Sequence, residues 1–175
     1  MSTVRFNTWQ DSGGTEVANS TLGTGKILQI VSTVKSDTFS VASTSMSNIT
    51  GLSVSITPTS TSSKVFAMLT IGQVDASSTS TFAFDVTRDG TAVGVGDTAG
   101  VRTRAVASGA IDPVNRGVSV VWSYLDSPAT TSSTTYQARC QIGSGTLYLN
   151  RSQSDSDHAV YGRTVATLTV WEVSA

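Results

Sequence analysis

A chain of 175 residues can fold as one domain that removes about 70% of its unfolded surface from water. A net charge of −1 with only 13% charged residues, and no run of Lys or Arg, withholds the electrostatic attraction on which binding to nucleic acids and anionic membranes depends. One cysteine, Cys140, leaves neither a disulfide framework nor a thiol-rich metal site, and no apolar run approaches the roughly 20 residues of a membrane-spanning helix.

Serine (28) and threonine (27) make up nearly a third of the residues. Thr favours strands and Ser favours turns, so this bias predicts an all-β chain with many short connections. The N-terminus lacks a charged-then-apolar leader, and the expectation is synthesis and folding in a cytoplasm.

Residues 1–25 break the pattern that follows. Phe6 and Trp9 stand among polar residues, ahead of Asp11-Ser-Gly-Gly14. Two readings stay open: an edge strand over residues 3–8, or an extended arm whose aromatics dock on a neighbour, since such rings are costly to leave in water. Residues 26–175 form the domain proper. A strand is predicted over 26–34 (KILQIVSTV) and a shorter one over 37–41, then a Ser/Thr loop over 43–49 with Met46 and Ile49 turned inward. Leu52, Val54 and Ile56 alternate with Ser53, Ser55 and Thr57, the period of a half-buried strand. Pro58 removes an amide donor and ends that ladder, and residues 59–63 are a polar connector. The denser apolar run over 64–71 reads as a central strand. These two strands are expected to pair as an antiparallel seed.

Phe82, Phe84 and Val86 mark the next strand over 81–87, and Arg88-Asp89-Gly90-Thr91 is the strongest turn in the chain, because Asp-Gly readily takes the positive φ of a tight hairpin. Residues 92–95 are the return strand. Residues 96–115 are expected to form a long loop with one strand around 102–107. In 117–125 Val118, Val120, Trp122 and Tyr124 share one face, with Val121 and Leu125 on the other. In 134–142 Tyr136, Ala138, Cys140 and Ile142 share a face. Gly143-Ser-Gly145 turns into a short strand over 146–149, a charged loop spans 150–162, and a last strand runs over 164–173. Nine or ten short strands without a helix predict an antiparallel β-sandwich of jelly-roll type.

No constellation for catalysis emerges. His158 is the only histidine, and a triad is trivially nominated in so serine-rich a chain, while the Gly-x-Ser-x-Gly elbow is missing. His158 reads as a solvated loop residue that contacts a neighbouring chain. Asp155 and Asp157 offer two carboxylates to a calcium ion, without the third acid or loop glycine of a known pattern. Glu16 and Glu172 are the only glutamates, and the ten aspartates fall mostly in turns, where they have their own conformational reason to be. Cys140 sits on the apolar face of its strand as a small core residue. The acceptor-like triplets at Asn19, Asn48 and Asn150 are what chance produces in a chain this rich in Ser and Thr. The expectation is a protein without catalytic, cofactor or metal site, working through its surfaces.

Five stretches, SDTFSVASTSMSNITGLSVSITPTSTSSKVFAML (36–69), FDVTRDGTAVGVGD (84–97), YLDSPATTSSTTYQAR (124–139), LYLNRSQSD (147–155) and TLTVWEV (167–173), resemble a module of virion proteins of tailed bacteriophages, marine and cyanobacterial ones especially. The resemblance implies a non-enzymatic structural β-domain, a homotrimer, and a place on the virion after assembly in the host cytoplasm. The module begins 25 residues after the first Met with neither a heptad repeat nor an adaptor, which favours a free-standing capsid decoration (cement) protein. Its partner would be the major capsid protein, clamped across neighbouring subunits with Phe6 and Trp9 as anchors of the arm. The alternative is a short tail or head fibre, or a receptor-binding tip, whose loops over 96–115 and 150–162 read host surface glycans. Arg102, Arg104 and Arg116, with Asp155, Asp157 and His158, are the loop residues placed for such contacts. A small hydrolase on the same scaffold is the third class.

Overall fold

Alternation of aliphatic and hydroxyl side chains becomes eleven strands in the computed structural model, which describes residues 25–112 and 117–175. They are β1 (Ile27–Lys35), β2 (Phe39–Val41), β3 (Ser47–Ile56), β4 (Lys64–Ala76), β5 (Ser80–Arg88), β6 (Thr91–Val93), β7 (Ala107–Ile111), β8 (Val118–Asp126), β9 (Thr134–Ile142), β10 (Leu147–Leu149) and β11 (Ala166–Val173). Every pairing is antiparallel. The first sheet runs β1-β11-β4-β10-β2, with β8 on the other edge of β4, and the second runs β3-β9-β5-β6, with β7 also on β5.

The pairs β1 with β11, β3 with β9, β4 with β8 and β5 with β7 are nested one inside the next along the chain. A long hairpin rolled over a barrel-like core gives this order, so the sandwich is a jelly roll. β2 and β10 are a short addition that extends the first sheet past the end of β11.

The core lies between the sheets. From the first come Val65, Ala67, Leu69, Ile71, Leu168 and Val170; from the second come Leu52, Val54, Ile56, Phe84, Val86 and the face of β9 carrying Tyr136, Ala138, Cys140 and Ile142. Burial pushes the Cys140 thiol up to about 12, with the nearby Asp85 carboxylate adding to the effect, so it packs as a small apolar group. Hydroxyls on the outer faces join neighbouring strands: Ser32 to Thr169 at 2.7 Å, Thr70 to Thr167 at 2.6 Å, and Ser55 to Thr135 at 2.8 Å. These cross-strand pairs give the Ser/Thr bias a structural use beyond turns.

The Asp89–Gly90 turn has φ of 48° and 87°, the mirror-image geometry that suits a right-twisted hairpin, and it joins β5 to β6 as expected. Three expectations are corrected. β3 and β4 do not pair with each other; they lie in opposite sheets, and residues 57–63 carry the chain across the end of the sandwich. Seven residues easily bridge the ~10 Å between packed sheets, and buried Pro58 bars the tight turn that a hairpin needs. β3 begins at Ser47, inside the expected loop, and accommodates the extra length by a register shift between Asn48 and Ser53, where Gly51 takes a φ of 79°. Residues 102–105 are not a strand; β7 follows them, its Ala-Ser-Gly-Ala sequence carrying no pattern of its own and set by pairing with β5. Gly109 is required there, because a Cβ would meet the Phe82 ring at 2.9 Å.

Candidate functional site

The outer face of the first sheet carries apolar residues in the phase where a solvated sheet carries polar ones. In register across four strands lie Ile30, Trp171, Phe66 and Leu125. The Phe66 and Trp171 rings contact each other with centroids 5.5 Å apart. Two residues further along is a row of Ser32, Thr169, Met68 and Ser123, and beyond it a row of Val34, Thr167, Thr70 and Val121. Ile30, Val34, Val121 and Leu125 are 58%, 61%, 71% and 51% exposed. Four strands at ~4.8 Å spacing and eight residues at ~3.3 Å give a face of roughly 20 by 26 Å. Seven of the twelve positions in these three rows are apolar, and a monomer rarely leaves a large cluster of this kind in water.

The candidate residues named from the sequence are dispersed by the fold. Phe6, Trp9 and Arg116 lie outside the described residues. Arg102 and Arg104 belong to the segment after β6 that returns over the outer face of the second sheet, held by Gly96 N–H to Ala105 O at 3.2 Å, Val106 N–H to Phe84 O at 2.8 Å and Gln141 Nε2 to Thr103 Oγ1 at 3.1 Å. Arg102 donates to Ala99 O at 3.4 Å and Arg104 Nε to Gly96 O at 2.6 Å, so each braces its own loop. Behind this segment Asp85 is buried against Arg139, which holds it through Nε and Nη2 at 2.8 and 2.5 Å. That hydrogen bond raises the Arg139 pKa and keeps the guanidinium charged.

Asp155, Asp157 and His158 come together around a shallow hollow of about 270 Å³ in the loop after β10. Asp155 is taken by two guanidinium groups, Arg151 Nη1 at 2.7 Å and Arg163 Nη2 at 2.5 Å. An aspartate so occupied offers no carboxylate edge to a calcium ion, and among the described residues no three acidic, His or Cys side chains are grouped for a metal. His158 Nδ1 accepts the Val160 N–H at 3.4 Å and its ring lies edge-on to Tyr161. The loop is anchored at Asn150, wholly buried at a φ of 62°, whose Nδ2 donates to Lys35 O at 2.9 Å and Asp37 O at 3.0 Å. Its amide is committed inside the fold, so the Asn150-Arg-Ser152 triplet presents no glycan acceptor.

A polar cluster that sequence reasoning missed ties the two sheets together. Asp126, at the end of β8, receives Arg88 Nη1 on both oxygens at 2.7 Å and the Tyr136 hydroxyl at 2.7 Å. Arg88 ends β5 and Tyr136 lies in β9, so three strands from both sheets meet at one carboxylate. Tyr136 is fully buried, and burial together with the Asp126 hydrogen bond drives its pKa far above that of a free phenol. Desolvation works against the Arg88 charge, but the bonds to Asp126 prevail and its pKa rises.

Beside this cluster the sandwich opens into a groove of about 520 Å³ between residues 91–95 and β8. Its floor is Gly94, at a φ of 60°, where a Cβ would stand 2.7 Å from Trp122 Cζ2 and 2.8 Å from Tyr124 Cγ. Gly94→Ala is expected to lose about 2 kcal/mol of stability from the left-handed backbone and the ring contact together, read by denaturant unfolding; an unchanged midpoint would refute the close packing.

No protein-family model matches the chain, and neither does any curated protein.

Proposed function

We propose that this is a non-enzymatic structural protein that assembles through the outer face of its first sheet into a homotrimer and serves as a decoration (cement) protein on a bacteriophage capsid. The observation that carries the reading is the apolar row Ile30–Trp171–Phe66–Leu125 on an otherwise hydroxyl-coated sandwich. Specific interfaces bury about 800 Å² per partner, and a face of roughly 20 by 26 Å supplies about two thirds of that, with Phe, Trp, Ile and Leu side chains projecting from one row. The three-fold symmetry is what the resemblance to phage virion modules implies: in a closed ring each copy meets its two neighbours through different parts of its surface, and no contact is left for open-ended growth. The placement on a virion rests on the resemblance of residues 36–69, 84–97, 124–139, 147–155 and 167–173 to phage virion modules. Three copies docking together multiply modest contacts per subunit into a lasting hold on a capsid lattice.

Native mass spectrometry tests the assembly. The wild-type chain is expected at three times its 18.1 kDa, and the pair Phe66→Glu with Leu125→Glu is expected as a folded monomer, since each trimer would trap several like charges in an apolar contact. A wild-type monomer, or a variant that remains trimeric, would sink the assembly face. Immunogold labelling of the encoding phage tests location: label on capsid faces supports cement, and label confined to the tail tip supports the fibre alternative instead.

A further inference from the structure

We propose that the groove between residues 91–95 and β8 binds a saccharide of one or two rings that carries a carboxylate. This is independent of where the protein sits on a particle, and it uses a surface other than the assembly face. Tyr124 and Leu125 are neighbours on β8 and point to opposite sides, so the groove opens at the flank of the sandwich while the apolar row covers its outer face.

Three features of the groove point to this class of ligand. The first is a platform. Tyr124 is 39% exposed and stacks on Trp122 with ring centroids 6.0 Å apart and planes 21° from parallel. Gly94 packs against both rings, so the tyrosine is held in place while more than a third of it stays exposed on the wall of the groove. The apolar side of a pyranose ring fits such a surface at little entropic cost.

The second is charge. The ionised groups lining the groove are Arg88, Arg104 and Asp126, a net excess of one positive charge on a chain whose overall charge is −1. Asp126 is consumed: its oxygens accept Arg88, the Tyr136 hydroxyl and the Ser127 N–H at 2.7–2.8 Å. It therefore acts as a positioning residue that aims the Arg88 guanidinium, and because its negative charge is balanced by Arg88, the excess positive charge of the groove is that of Arg104. Arg88 spends only Nη1 on Asp126 and Arg104 only Nε on Gly96 O among the described residues. A guanidinium has five N–H donors in a planar fork that matches a carboxylate edge, so each arginine keeps donors for a ligand.

The third is polarity and shape. A volume of about 520 Å³ lies within the range of small-ligand sites, and the remaining wall is short polar or aliphatic residues such as Thr91 and Val93. A lipid would find no deep apolar bed here, and a nucleic acid would find no extended basic track. A sugar acid uses everything present: ring face on Tyr124, hydroxyls as acceptors for the guanidinium donors, and the carboxylate on the arginine fork.

Isothermal titration calorimetry on the full-length assembled protein tests this with three probes: digalacturonate, maltose as the ring without the charge, and tricarballylate as the charge without the ring. Digalacturonate is expected to bind saturably and at least about tenfold more tightly than either control. Arg104→Ala, on an exposed loop, is expected to weaken it at least about tenfold with unchanged melting temperature, and Tyr124→Ala to weaken digalacturonate and maltose alike. Tricarballylate binding as tightly as the sugar acid would reduce the groove to a simple anion site and overturn the proposal. So would the absence of saturable digalacturonate binding, or binding indifferent to Arg104→Ala.

Discussion

Asp126→Ala is expected to remove about 3–5 kcal/mol of folding free energy, the range for breaking one side of a buried charged pair. Asp126 is 4% exposed, and it is where the first sheet meets the second at this end of the molecule. Without it the Tyr136 hydroxyl, in a fully buried ring, has lost its 2.7 Å acceptor, a loss of about 1–3 kcal/mol by itself. Arg88, whose side chain is partly exposed, turns toward water and recovers some hydration, so its share is the smaller one. Asp126→Asn keeps an oxygen for the phenol and should fall well short of the alanine variant. Tyr136→Phe, which deletes the orphaned group, should lose only about 1 kcal/mol alone and should lessen the further damage of Asp126→Ala, since the two changes share a partner. Denaturant midpoints of the four proteins measure this cycle. Strict additivity would mean that the phenol and the carboxylate do not act as a unit. The same experiment bears on the side groove: Arg88 is aimed by Asp126, so Asp126→Asn should weaken digalacturonate while the protein remains folded.

How much of this was legible in the sequence depends on the range of the interaction. Residues 134–142 alternate so cleanly that β9 was readable to the residue, and Asp89–Gly90 announced its turn because both effects are local. Pairing was not local. The segments around Leu52–Ile56 and Val65–Ile71 look like the two arms of a hairpin, yet each finds its partner far along the chain, β9 for one and β8 with β11 for the other. β7 was missed because Ala107–Ile111 is mostly small residues and acquires its strand from the edge it joins. The apolar outer face of the first sheet did leave a trace: Phe66, Met68, Val121, Leu125 and Trp171 are apolar in the phase opposite to the core, a surplus that a sheet with one wet side does not need. In the groove, Arg104 was recognisable as a loop cation, whereas Arg88 and Asp126 read as ordinary turn residues because each stands beside a turn. Only the fold brings them together.

Glu172 explains why the crossing between sheets holds, and it sets an acid limit on the molecule. Burial favours the neutral acid, but Gln29 Nε2 donates at 2.6 Å, Thr59 N–H and Oγ1 at 2.7 Å each, and Ser63 through its side chain, and together they hold the carboxyl at about 2 against an ordinary 4.5. Three of these four donors belong to residues 57–63, so one carboxylate on β11 fastens the connector that leads from β3 to β4. Because the folded pKa lies below the unfolded one, the unfolded chain binds more protons between the two values. The stabilisation is therefore complete above about pH 4.5 and is lost as pH falls toward 2. Asp37 is also held low by its hydrogen bond to Lys35, but it stands in solvent and adds little. Glu172→Ala leaves four donors beneath a buried surface and is expected to lose about 3 kcal/mol or more at neutral pH. Glu172→Gln is the sharper probe: it should be less stable than wild type at pH 7, and the gap should close on acidification as the wild-type carboxylate takes up its proton. Melting temperatures of both proteins from pH 7 to 2 measure this. A constant gap across that range would mean that Glu172 acts by shape alone, and the fastening of the connector would have to come from Pro58 and the packing around it.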